Sequence, residues 1–308
     1  MGKYIVKRIG IGFITIFMLL TITFFLTRWM PGNPFQSENI SENVLQALEK
    51  EYGLDKPLLT QYGTYLCHFL QGNLGYSYKK PGVAVNEVIG RTFPQTMLLG
   101  SLAVMTALLC GMGIGFLHAK TSQRWVSRAC LLLECIGMGI PNFMIALVLL
   151  LIFGVQWRLL PTVGLNSPAH FILPVLSLAI YPMATIARYT YRNVSVELKR
   201  EYVTFARMKG VKTPVILYRH VLRNVFPQIL NYLGPTIAFL LTGSFVVESI
   251  YTIPGLGREF VNAISNRDYT MIMGLTVFMG VLVIGIQIII DIINAWLDPR
   301  VRLSFEEK

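Results

Sequence analysis

Glu197–Pro227 reads ELKREYVTFARMKGVKTPVILYRHVLRNVFP, a basic island set between two apolar runs. Leu198, Tyr202, Phe205 and Ala206 recur at helical spacing, which predicts a first short helix over about 197–209. Gly210 stands where a helix end takes a left-handed residue. Thr213-Pro214 supplies an N-cap followed by proline at the first helical position, so a second helix is expected from there until Pro227 approaches. Ala206 and Gly210 lie one turn apart and leave a small spot on an otherwise bulky surface.

The flanking chain says where such an island sits. Of 308 residues, 54% are hydrophobic and only 14% charged, too apolar a balance for a soluble domain of this length. Several uncharged runs approach the roughly 20 residues that cross a bilayer. The expectation is an all-α membrane protein with six transmembrane helices, at about 9–29, 97–119, 131–156, 171–190, 229–249 and 271–296. The first run is too long and too early for a cleaved signal and is expected to stay as a span.

Lys/Arg asymmetry sets the orientation. With the N-terminus inside, the inner segments carry Lys3, Lys7 and Arg8; Lys120, Arg124 and Arg128; nine basic residues from Arg188 to Arg223; and Arg300, Arg302 and Lys308. Both termini and the island are therefore expected in the cytoplasm. The net charge of +11 reports on topology and on membrane lipid, and no nucleic-acid partner is expected.

Residues 30–96 form an extracytoplasmic segment, with a helix expected at Glu42–Glu51 capped by Ser41, an amphipathic stretch over Leu58–Leu70, and turns at Gly72, Gly75 and Gly82. It packs on the outer face of the bundle or offers a docking surface. The second span carries Gly100, Ala103, Ala107, Gly111, Gly113 and Gly115, small residues that let helices approach closely in lipid. Pro141, Pro174, Pro182 and Gly234-Pro235 predict kinked spans lining a pathway. Pro254, Gly255 and Gly257 force a turn before a short helix, Arg258–Ser265, at the outer mouth.

The acids Glu134, Glu248 and Asp291 lie near span ends and are expected to pair with Arg128, Arg258 and Arg300. None is placed at mid-membrane, which argues against a gradient-driven secondary transporter, the alternative from another class.

Catalytic chemistry is missing. Gly210-Val-Lys-Thr lacks the upstream glycine of a phosphate loop. His68, His118, His170 and His220 have no ligand spacing, and Cys67, Cys110, Cys130 and Cys135 form neither a metal nor a redox pattern. No serine elbow occurs. By itself the chain does not read as an enzyme, no catalytic or metal residue is indicated, and any energy input comes from a gradient or another protein.

The island resembles the cytoplasmic signature loop of ABC-importer membrane subunits, which has Glu-Ala-Ala, a Gly four residues after the last Ala, and a later Ile-x-Leu-Pro. Ala206 and Gly210 keep that spacing and Leu222 falls at the Leu, while Thr204, Phe205 and Arg223 depart from it. Leu26–Phe35 (LTRWMPGNPF), Glu49–Leu66 (EKEYGLDKPLLTQYGTYL), the FARMKGV island and Val246–Tyr269 (VVESIYTIPGLGREFVNAISNRDY) extend the likeness, in the family's order, to the first membrane subunit of bacterial oligopeptide ABC importers.

The resemblance implies the type I importer permease fold. Residues 1–94 would form an N-terminal span plus extracytoplasmic segment, 95–295 the transmembrane domain with its coupling region at 197–227, and 296–308 a cytoplasmic tail. It implies a bacterial cell membrane location and four kinds of partner: a paralogous second permease subunit, two ATPase subunits that hold the ATP and Mg, an extracytoplasmic peptide-binding protein, and membrane lipid. No cofactor falls on this chain. Glu201, Tyr202, Phe205, Ala206, Arg207, Lys209 and Gly210 fall in the coupling helix that docks on an ATPase. No substrate-binding residue is indicated. Dipeptide and nickel permeases are the neighbouring branches.

Overall fold

The computed structural model describes residues 2–29, 50, 53–165 and 167–297. Apart from Lys50, the expected Glu42–Glu51 helix lies outside the described residues, as does Arg300.

Long apolar runs become helices because only a helix satisfies each backbone N–H and C=O within the run. The order is α1 (Gly2–Trp29), α2 (Leu58–Leu70), α3 (Val85–Lys120), α4 (Arg124–Gly139), α5 (Asn142–Leu149), α6 (Ile172–Glu197), α7 (Glu201–Met208), α8 (Leu222–Thr242), α9 (Phe245–Ile250), α10 (Leu256–Ser265) and α11 (Tyr269–Leu297). A π-helical stretch, Leu150–Gln156, extends α5. A single turn, Thr213–Val215, and a second π-helical stretch, Ile216–Val221, lead into α8. Among the described residues, five helical segments are long and apolar enough to cross a membrane, and counting the bent pair α4–α5 as one span gives six.

Several spans differ from expectation. Span two begins twelve residues early, as part of a 36-residue helix, and span four runs on to Glu197. The third is broken by 107° at Ile140-Pro141. Pro141 has no N–H for the Gly137 carbonyl, and it forces Ile140 into an extended conformation (φ −100°, ψ 127°). The fifth breaks at Gly243, whose φ of +95° only glycine adopts cheaply. Pro227 and Pro235, by contrast, sit inside α8 without ending it.

The core forms where α3 crosses α6. Gly100, Ala103, Ala107, Gly111 and Gly115 lie on one face of α3 and are all buried. A β-carbon at Gly111 would come within 2.7 Å of the Met183 carbonyl, and one at Gly115 within 2.5 Å of the Ala187 carbonyl. The helices therefore approach as closely as the small residues predicted. Leu178, Ile186 and Val194 of α6 and Val225 and Ile229 of α8 complete this core.

α1 packs on α11, where Arg8 pairs with Asp291 at 3.3 Å. This joins the two ends of the chain, while Arg300, the partner expected for Asp291, lies outside the described residues. Glu134 does not pair with Arg128. It is wholly buried, 2.7 Å from His118 Nδ1 and 3.1 Å from Arg188 Nη1, which joins α3, α4 and α6. The His118 ring stacks on Tyr191 at 3.7 Å and its Nε2 meets Ser127 Oγ at 3.2 Å.

Glu248 does meet Arg258, but through the backbone. One carboxylate oxygen accepts the Arg258 N–H at 2.9 Å and the other accepts the Thr96 hydroxyl at 3.0 Å. The Gly257 N–H bonds to it as well, and Thr96 in turn accepts the Leu256 N–H at 2.8 Å. The carboxylate caps the start of α10 and ties α9 and α10 to α3.

Candidate functional site: the basic island and its exposed face

α6 continues to Glu197, so the first island helix starts at Glu201, four residues later than expected. Arg200 is extended at the junction (φ −70°, ψ 148°). Gly210 ends the helix with φ +77°, the left-handed conformation expected of it. Gly210 N–H donates to the Arg207 carbonyl at 2.9 Å, and Val211 N–H to Ala206 at 3.1 Å.

Val203 is the anchor. It is fully buried in the main core, although the spacing pattern grouped Phe205, not Val203, with Leu198, Tyr202 and Ala206. Tyr202 and Ala206 are half-buried against the same core. The Tyr202 hydroxyl donates to Glu197 at 2.6 Å, and Asn224 Nδ2 donates to both at 3.3 Å. This clamp fixes α7 to the end of α6 and the start of α8. Burial, with the Glu197 bond next, pushes the Tyr202 phenol up to about 12, so it stays a neutral donor at physiological pH.

The remaining island residues face outward. Glu201, Thr204, Phe205, Arg207, Met208, Lys209 and Gly210 are all exposed, Phe205 by 59% and Met208 by 78%. Lys209 Nζ lies 4.6 Å from the Phe205 ring centre, a cation–π contact. Nothing lies within 4 Å of a β-carbon built on Gly210. A broad recess of about 1050 Å³ opens beside α7, between Arg200, Tyr202, Tyr218, Arg223, Phe226 and Trp296. Two large apolar side chains, Phe205 and Met208, thus stand exposed in a basic surface.

A second feature lies within the bundle. The broken span, α6 and α8 surround a cavity of about 490 Å³, to which Pro141, Pro182 and Pro235 all contribute. Each proline withholds an N–H from the carbonyl four residues before it. Tyr181, Tyr232, Asn142 and Thr236 are its polar lining, and no charged residue lines it. Among the described residues, no group of His, Cys, Asp or Glu could hold a metal.

Comparison with known proteins bears directly on this arrangement. The family described as "Binding-protein-dependent transport system inner membrane component" matches residues 111–303, and its N-terminal component matches residues 1–100. The chain belongs to this family. It is 38% identical over 304 residues to the dipeptide transport system permease protein DppB of Bacillus subtilis, covering 98% of this chain and 99% of that one. It is 35% identical over 306 residues to the oligopeptide transport system permease protein OppB of Salmonella typhimurium, covering 98% and 100%.

Among solved structures, a chain of the MetNI methionine ABC transporter in an inward-facing conformation superposes with a TM-score of 0.56 at 19% identity. The match covers 68% of this chain and 96% of that chain. The fold is the type I importer permease fold. The protein is a multi-pass membrane component of a binding-protein-dependent ABC importer, as the resemblance implied.

Proposed function

We propose that this chain is the translocation subunit of an ATP-driven importer of peptides, oligopeptides first. The observation that carries this is identity of 35–38% across 98% of the chain to permeases of peptide transport systems. The 38% match to a dipeptide permease supports dipeptides as a second reading.

ATP and Mg would be held by two ATPase subunits, and a paralogous permease would complete the pathway. A peptide-binding protein would deliver cargo from outside. Both termini and α7 would face the cytoplasm, as the Lys/Arg asymmetry implies. α7 would be the coupling helix, with Phe205, Met208 and Lys209 meeting an ATPase groove and Val203, Tyr202 and Ala206 passing its movement into α6 and α8. The uncharged, proline-lined cavity suits a path that passes varied side chains without holding them.

Reconstitution with these partners tests the reading. Peptides of about three to eight residues should stimulate ATP hydrolysis and accumulate inside vesicles, with dipeptides competing less well. Stimulation by dipeptides alone would move the assignment to the dipeptide branch, and stimulation by neither would refute it. Labelling of a cysteine placed at Lys209 from outside sealed cells would overturn the orientation.

A further inference from the structure

The cavity of about 490 Å³ between the broken span, α6 and α8 has no charged lining, and the helices around it carry none nearby. α6 has no charged residue from Ile172 to Ala187, α8 has none from Asn224 to Thr242, and α5 with its π-helical extension has none from Asn142 to Gln156. The first charge on the Tyr181 face of α6 is Arg188, seven residues on and about 10 Å along the axis. That side chain is half-exposed and already holds Glu134 at 3.1 Å.

The wall is nonetheless unlike a lipid-facing surface. In the middle of α1 the large exposed side chains are Phe13, Ile14, Phe17, Met18 and Ile22, as contact with lipid requires. The cavity instead gathers hydroxyl and amide groups from three helices: Asn142 of α5, Tyr181 of α6, and Tyr232 and Thr236 of α8. Tyr181 is exposed, and the Tyr232 ring lies against Tyr189 with centres 5.4 Å apart. Pro182 leaves the Leu178 carbonyl without its helical N–H, and Leu178 lines the same space. Such groups are costly against hydrocarbon and useful against a peptide backbone.

The dimensions set a length. On α8 the lining runs from Tyr232 to Leu240, about 12 Å of helix. An extended peptide covers that distance with about three to four residues. A dipeptide is only about 7 Å long, so both of its charged ends would lie inside together. A longer peptide brings its ends through one at a time and keeps the other end in water.

We propose that this cavity receives the backbone of a passing peptide and favours chains longer than about three residues. Asn142 and the tyrosine hydroxyls bond peptide N–H and C=O groups, and the aromatic faces accept side chains of any kind. No counter-charge meets an ammonium or a carboxylate there, so a peptide that brings both at once is desolvated twice over. A lipid acyl chain would fill the volume and leave the polar groups unused. The proposal rests on the peptide-importer reading and adds a length preference imposed by this chain, separate from that of its binding protein.

The test measures uptake of radiolabelled dialanine and pentaalanine by the reconstituted assembly, with the same binding protein throughout. Asn142→Asp places a carboxylate in the cavity at the first position of α5, where a helix start favours it. It pairs with the ammonium of dialanine and opposes the carboxylate end of pentaalanine, which passes alone. The dialanine to pentaalanine uptake ratio should rise about ten-fold, the size of one charge-assisted contact. An unchanged ratio with uptake retained overturns the proposal. If the variant moves neither peptide, capture decides: a photoreactive residue in place of Tyr181 should capture labelled pentaalanine during turnover. Capture of lipid or of the second permease subunit alone overturns the proposal. If the wild-type assembly imports neither peptide, the peptide-importer reading and this proposal fall together. Uptake by the wild type with an unchanged ratio, or with no capture, overturns this proposal alone.

Discussion

α7 and the Gly243–Arg258 turn are both short, glycine-punctuated breaks between long helices, yet they are built in opposite ways. In the turn, the Glu248 carboxylate absorbs the N–H groups of Gly257 and Arg258 and the Thr96 hydroxyl, and Glu248 has no exposed surface. α7 is pinned by Val203 and the Tyr202–Glu197–Asn224 clamp, and leaves Phe205 and Met208 in solvent. On the proposed coupling role, the segment that satisfies itself internally serves the fold and the one that leaves apolar side chains exposed serves a partner. Mutations should therefore separate the two, with stability lost at the turn and assembly lost at α7.

The largest effect is expected at the turn. Glu248→Ala leaves buried donors unpaired and should cost about 3 kcal/mol or more. A steep fall in the melting temperature of the purified chain would show it, and an unchanged melt would erase the contrast. Gly115→Val should cost about 2 kcal/mol, because the new side chain meets the Ala187 carbonyl and Thr190 across the α3–α6 crossing.

At α7 the stability effects shrink while the functional ones grow. A β-carbon at Gly210 meets no neighbour, so Gly210→Trp should cost about 1 kcal/mol, from the left-handed backbone. Transport should nonetheless fall sharply while the chain still inserts. Phe205→Ala should leave the melt within about 0.5 kcal/mol of wild type. Attachment of the ATPase subunits should weaken about ten-fold, as for a central apolar anchor.

The sequence was most readable where backbone chemistry decides the outcome locally. Gly210 at a helix end, the break at Pro141, the α2 boundaries and the small face of α3 all follow from the residues themselves. Pairing was less readable. Arg128 is close to Glu134 in sequence, but folding brings His118 and Arg188 to it from two other helices, and Arg8 reaches Asp291 from the far end of the chain. The anchor of α7 was not readable either: helical spacing grouped Leu198, Tyr202, Phe205 and Ala206, whereas the fold buries Val203 and leaves Phe205 exposed. The polar lining of the bundle cavity was invisible to periodicity, since Asn142, Tyr181 and Tyr232 meet only when α5, α6 and α8 pack together.

Site-specific photocrosslinking in the assembled complex tests most directly whether α7 is the coupling surface. A photoreactive residue at position 205 should capture an ATPase subunit, and the same residue at Trp29, at the opposite end of α1, should not. Capture of the ATPase from position 29 and not from 205 would contradict both the orientation and the coupling role.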